Sequence, residues 1–85
     1  MAEYSVFLKE SVYKDLEGIP KKDLRKIMTR IKSLANDPRP LGCEKLTGLD
    51  RHRLRQGRYR IVYAVQDEDQ AVTVVKVGHR KEIYR

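Results

Sequence analysis

Apolar residues in this chain recur with two different periods. Leu24, Ile27, Met28, Ile31 and Leu34 fall at three- and four-residue steps, which places them on one stripe of a helix. Lys21, Lys22, Arg25, Lys26, Arg30 and Lys32 fill most of the remaining positions, a basic face that reads as solvated. Asn36-Asp37-Pro38 ends this helix, because the residue before a proline is pushed out of the α region. Upstream, Ser11 is placed to cap a shorter helix that buries Val12, Leu16 and Ile19. Gly18 and Pro20 separate the two helices, and Pro20 also suits the start of the second. The short aromatic and apolar run from Tyr4 to Leu8 predicts a first strand.

Further along, the period shortens to two. Leu54 lies between Arg53 and Arg55, so in a strand it leaves one face while the arginines leave the other. After Gly57 comes the alternation Tyr59-Arg60-Ile61-Val62-Tyr63-Ala64-Val65. These segments predict strands over 51–56 and 58–66, joined by a tight hairpin turn. Asp67-Glu68-Asp69-Gln70 is a polar turn, and a valine-rich strand runs from Ala71 to about His79. Residues 37–49 contain two prolines and two glycines and read as an ordered loop, or a loop with a turn of helix. The expected order is β-α-α-β-β-β. Its economical packing is α+β, with a hairpin of two helices on one face of a mainly antiparallel four-stranded sheet. The 85 residues fit one small domain, 1–85, with a thin core.

Strand parity then sorts the charge. If Tyr59, Ile61, Tyr63 and Val65 face the helices, Arg60, Val62 and Ala64 face away. In the last strand Thr73, Val75, Val77 and His79 are expected on the helix side. Val72, Val74, Lys76, Gly78 and Arg80 are expected on the other. Arg53 and Arg55 join Arg60, Lys76 and Arg80 on the open face once Leu54 points to the core. Gly78 leaves room there for a ligand to approach the backbone. Residues 51–60 hold five arginines and no acid, and the acids gather chiefly in the turn at 67–69. Three neighbouring strands thus bring cations to one surface, a pattern that suits phosphate.

Composition narrows the class. A formal net charge of +7 points to nucleic acid, an anionic surface or an acidic protein partner. Hydrophobic residues make up 40%, too many for a disordered tail and too few for a membrane protein. Cys43 is the sole cysteine, which excludes an internal disulfide and a Cys-based zinc site and suggests a reducing compartment. No apolar run is long enough for a signal peptide or a membrane span, so a soluble cytoplasmic protein is expected, with no membrane partner. No metal-ligand spacing and no glycine-rich nucleotide loop is present, so neither a metal nor a cofactor is expected.

Two segments carry a family likeness. Leu54-Arg55-Gln56-Gly57-Arg58-Tyr59-Arg60-Ile61-Val62-Tyr63, with Val77-Gly78-His79-Arg80-Lys81-Glu82-Ile83-Tyr84-Arg85, resembles the RelE branch of the RelE/ParE toxin superfamily. Lys45-Leu46 followed by Gly48 is similar to that family's loop before its second strand. The likeness extends over nearly the whole chain in length and element order. The arginine hairpin is shared across the superfamily. The terminal segment is more like RelE-type mRNA interferases than ParE-type toxins, which act on DNA gyrase. The resemblance implies a RelE-like fold and the toxin of a type II toxin–antitoxin pair. Its implied activity is ribosome-dependent cleavage of translated mRNA, in which a 2′-hydroxyl attacks the adjacent phosphate. The products are a 2′,3′-cyclic phosphate and a 5′-hydroxyl. The implied partners are the ribosome and mRNA, a cognate protein antitoxin, and promoter DNA only indirectly, through the antitoxin.

By the same resemblance Arg60 matches the arginine at the scissile phosphate, and Arg80 the second, C-terminal arginine. Tyr84 matches the tyrosine that stacks on or orients the nucleotide. Arg53 and Arg55 fall where the best-known branch has two lysines. Guanidinium stays protonated near neutrality, so these two suit phosphate clamping and charge stabilisation and make poor general bases. The base is left unassigned. Arg51, Arg58, Lys76 and Lys81 are further expected RNA contacts. His79 has the side-chain type that titrates nearest neutrality, but its parity sends it toward the helices. His52 shares parity with Leu54 and takes no chemistry. Tyr63 is expected in the core with its hydroxyl at a polar rim. Glu82 can pair with an arginine, and Cys43 is an incidental small loop residue. The departures at 53 and 55 keep a second class open, a ParE-like gyrase inhibitor that cuts no RNA. A basic binding module without toxicity is a third.

Overall fold

The computed structural model describes residues 3–46 and 51–79. In chain order the elements are β1 (Ser5–Leu8), α1 (Glu10–Glu17), α2 (Lys21–Ser33), β2 (Glu44–Lys45), β3 (Arg51–Gln56), β4 (Tyr59–Gln66) and β5 (Ala71–His79). The sheet runs β1-β5-β4-β3-β2. β1 is parallel to β5, and the other neighbours are antiparallel. This is the expected α+β arrangement with one strand more than four. The extra strand, β2, lies in the segment expected as loop. Two residues carry no visible alternation, and their pairing with Arg53 and His52 defines the strand.

Both helices pack on one face of the sheet. Val12 of α1, Ile27 and Ile31 of α2, and Leu34 just beyond α2 are buried against Leu54, Ile61, Tyr63, Val65, Val72, Val74 and Val77. Each such side chain contributes roughly 1.5–3 kcal/mol over its exposed state. Leu16 and Ile19 are half-buried beside this core. The start of α1 differs from expectation. Lys9, not Ser11, holds the N-cap and makes no side-chain capping bond. Its N–H donates instead to the Val74 carbonyl at 2.9 Å, so the end of the β1–β5 ladder fixes where the helix begins. No helix among the described residues is long and apolar enough to cross a membrane.

One irregularity decides which residues share a face. Val62 pairs with Lys76, whereas Tyr63 pairs with Val74. Val75 is therefore an extra, bulged residue, and it reverses the alternation along β5. Before the bulge Val72 and Val74 point to the helices; after it Val77 does, and all three are buried. The expectation that Thr73 and Val75 face the helices is thus overturned, because a strict period of two does not register a bulge. After the bulge the expected parity holds.

The β3–β4 hairpin turns in two residues, with Gln56 paired to Tyr59. Gly57 has φ +60 and Arg58 does not enter that region, the signature of a II′ turn, which favours glycine first. At the far end, Tyr63 is fully buried and its hydroxyl donates to the Pro38 carbonyl at 2.8 Å. Burial pushes its phenol well above the usual range. Arg39 donates two bonds to Asp67, at 3.1 and 2.8 Å, and the Tyr4 hydroxyl donates a third at 2.7 Å. These bonds tie the loop after α2 to the β4–β5 turn. They hold the Asp67 carboxyl below its ordinary value, Arg39 having the larger effect.

Candidate nucleic-acid interface

Cross-strand register arranges the face away from the helices in rows. One row is Arg55–Arg60–Gly78, the next is Glu44–Arg53–Val62–Lys76, and a third is Arg51–Ala64–Thr73. Leu54 and His52 are both buried on the helix side, His52 with its ring 5.5 Å from that of Tyr63. Arg51, Arg53 and Arg55 therefore share the opposite face.

Arg60 is 3% exposed, and one of its terminal nitrogens donates to the Tyr59 carbonyl at 3.3 Å. On one side it is paired with Arg55, an exposed cation; on the other with Gly78, a buried glycine. Arg55 and Arg60 thus stand opposite one another in register, and a phosphate oxygen pair matches the donor fork of a guanidinium.

The second row meets two carboxylates, one on this surface and one that reaches the β5 edge from the helix side. Arg53 donates to Glu44 at 3.2 Å. The Lys76 ammonium lies 3.6 Å from a carboxylate oxygen of Asp15 on α1. Acids are thus not confined to the turn at 67–69. Neither residue was evident beforehand. Glu44 sits on a strand too short to show a period, and Asp15 looks like any helix-surface acid until the fold brings β5 alongside.

Arg51 and Arg58 are exposed, Arg58 in the hairpin turn. His79 is half-buried on the helix side, its ring edge-on to Tyr59 at 6.0 Å. The two line a cleft of about 270 Å³ with Asp15, Ile19 and Gly78. Arg80, Lys81, Glu82 and Tyr84 lie outside the described residues. Among the described residues no three His, Cys, Asp or Glu side chains gather as a metal site.

The model of the family "ParE toxin of type II toxin-antitoxin system" matches residues 6–84. The chain belongs to the RelE/ParE toxin superfamily. Within it, RelE-type proteins are among the relatives that bear the likeness. Toxin RelE of Mycobacterium tuberculosis is 31% identical over 86 residues, 96% of this chain and 87% of that protein. A chain of the archaeal RelE–RelB complex from Pyrococcus horikoshii superposes with a TM-score of 0.80 at 30% identity, covering 92% of this chain and 96% of that one. The isolated E. coli RelE toxin superposes at 0.78 with 27% identity, covering 95% and 90%. This RelE-type toxin thus has the family and the fold that its arginine hairpin and terminal segment led one to expect. The pairing of Arg53 with Glu44 puts a carboxylate among the cations of the face away from the helices.

Proposed function

We propose that this toxin is a ribosome-dependent endoribonuclease that cleaves translated mRNA. The row Arg55–Arg60–Gly78 carries the reading: a buried arginine in register with an exposed one, and a glycine in register on its other side. A phosphate between the two arginines gains charge stabilisation as its equatorial oxygens become more negative in the transition state. The attacking 2′-oxygen forms its bond to phosphorus while the bond to the 5′-oxygen breaks. Arg53 and Arg55 cannot accept the 2′ proton. The carboxylate held beside Arg53, that of Glu44, takes it, and the departing 5′-oxygen takes a proton from water. Arg80 and Tyr84 join the site by family resemblance, as a second phosphate contact and a stacking platform.

Glu44 is exposed, so the free protein gives the 2′-hydroxyl no rigid seat. Alignment of hydroxyl, phosphate and leaving oxygen is worth several powers of ten in rate, and the ribosome supplies it in this reading. Solved RelE–RelB complexes of relatives support a cognate protein antitoxin as the partner, and charge complementarity suits an acidic or amphipathic antitoxin segment to the basic face.

The family model that matches is described by the name ParE, which favours gyrase inhibition as the second reading. Induced expression separates the two. With message ends mapped and supercoiling assayed in the same cultures, breaks inside translated codons are expected. Intact messages accompanied by gyrase-linked DNA damage select the inhibitor instead.

A further inference from the structure

Asp15 lies on α1, yet its carboxylate reaches β5. One carboxylate oxygen accepts the Val77 N–H at 3.1 Å, and the other lies 3.6 Å from the Lys76 ammonium. Its side chain is 18% exposed, and Val77 is 1% exposed. The ladder explains why an acceptor is needed there. β1 accompanies β5 only as far as Val74, whose carbonyl is taken by Lys9. Beyond the bulge at Val75, Val77 pairs with Ile61 on β4, but its N–H points to the other edge of β5. A buried amide left unmatched at such an edge is destabilising. Asp15 stands in for the strand that ended.

The same contact fixes the bulge. Without the extra residue, register carried on from the Tyr63–Val74 pair sets Val77 opposite Arg60 and turns Lys76 inward beside Ile61. With it, Gly78 is opposite Arg60 and Lys76 faces out. Asp15 binds the backbone of Val77 and the side chain of Lys76 together, in the arrangement that only the bulged register provides.

We infer that Asp15 is a positioning residue of the phosphate site: it locks β5 after the bulge, and so holds Gly78 at a fixed distance from Arg60. This role rests on the endoribonuclease reading. Asp15 touches neither phosphate nor base; it acts through the strand that it pins. Losing the pin frees the edge of β5 between Val75 and His79. A misplacement of about 1 Å at a reacting centre costs on the order of 10²-fold in rate, with ground-state binding by the remaining cations largely kept.

The test uses full-length Asp15→Ala and Asp15→Asn proteins, at a temperature where melting curves show each variant folded. Single-turnover cleavage on programmed ribosomes and ribosome affinity are measured separately, with amide exchange at Val77 and Gly78. Asp15→Ala is expected to cut roughly ten- to a hundredfold more slowly, bind ribosomes as the parent does, and exchange those amides faster. Asp15→Asn keeps an oxygen for the Val77 N–H and recovers most of the rate. An active parent with an equally active, folded Asp15→Ala overturns the role of Asp15 alone. So does an Asp15→Asn as slow as Asp15→Ala. A parent that leaves message intact on ribosomes overturns the endoribonuclease reading, and this role with it.

Discussion

Replacing Arg60 with methionine separates what this side chain does for the fold from what it does for the site. Methionine keeps an unbranched stem of adaptable shape and discards the guanidinium. For the fold, the charge is a burden. It is 3% exposed, and apolar replacement of a buried ionic group is often neutral or stabilising. It also faces Arg55 directly across the ladder, and relief of such a like-charge pair is worth about 0.2–1 kcal/mol. Against this stand the bonds the guanidinium makes, the 3.3 Å bond to the Tyr59 carbonyl among them, each worth about 0.5–1.5 kcal/mol. The two sets of terms oppose one another. At about 4–8 °C per kcal/mol for a domain of this size, Arg60→Met should melt within a few degrees of the parent. For the site, one lost oxyanion donor costs on the order of 10²–10³ in rate. Thermal melting beside single-turnover cleavage on programmed ribosomes reads both quantities. A variant that melts normally and cuts at the parental rate refutes the phosphate site. One that melts far below the parent shows that the arginine serves the fold.

Three further outcomes follow from the same geometry. Glu44→Gln keeps a hydrogen-bond acceptor for Arg53 but cannot take a proton, so cleavage should fall by on the order of 10²–10⁴ while melting barely moves, as expected for an exposed ion pair; parental activity assigns the base elsewhere. Tyr63→Phe loses the bond to Pro38 and should cost about 0.5–1.5 kcal/mol in denaturant unfolding. Because burial raises the Tyr63 phenol above 10.0, its contribution is present below that pH and is lost as pH rises through the folded value, so the phenylalanine variant should show a weaker alkaline loss. The Asp67 carboxyl is lowered from 3.8 by Arg39 first and Tyr4 second. Its contribution is present above that pH and is lost as pH falls through the folded value, so Asp67→Asn should melt lower at neutral pH and show a flatter acid limb. An unchanged acid limb in that variant contradicts the linkage.

The sequence-based reading succeeded where a periodic pattern ran long enough to be seen. The stripe from Leu24 to Leu34 became α2 and the turn beyond it, and the alternation from Tyr59 to Val65 became the buried centre of the sheet. The flanking of Leu54 by two arginines correctly put both on the face away from the helices. It failed where a single residue changes the count. Val75 inverts the first half of β5, and no propensity marks one valine among several as the bulge. β2 exists because β3 offers an edge. Its two residues have no strand character of their own. The carboxylates at Glu44 and Asp15 were missed for a related reason. Each meets its partner only through tertiary pairing, across 9 residues to Arg53 and 62 to the Val77 amide. Ser11 failed as a cap because the neighbouring ladder engages Lys9 first.

The central claim concerns a 2′-hydroxyl, so the most direct measurement removes that oxygen. Purified toxin is mixed with ribosomes programmed by a defined message, once with an all-ribose message and once with a single 2′-deoxy nucleotide at the cleaved position. The toxin is expected to cut the first message, leaving an upstream fragment that ends in a 2′,3′-cyclic phosphate, and to leave that bond of the second intact. Equal cleavage of both, or of neither, contradicts it.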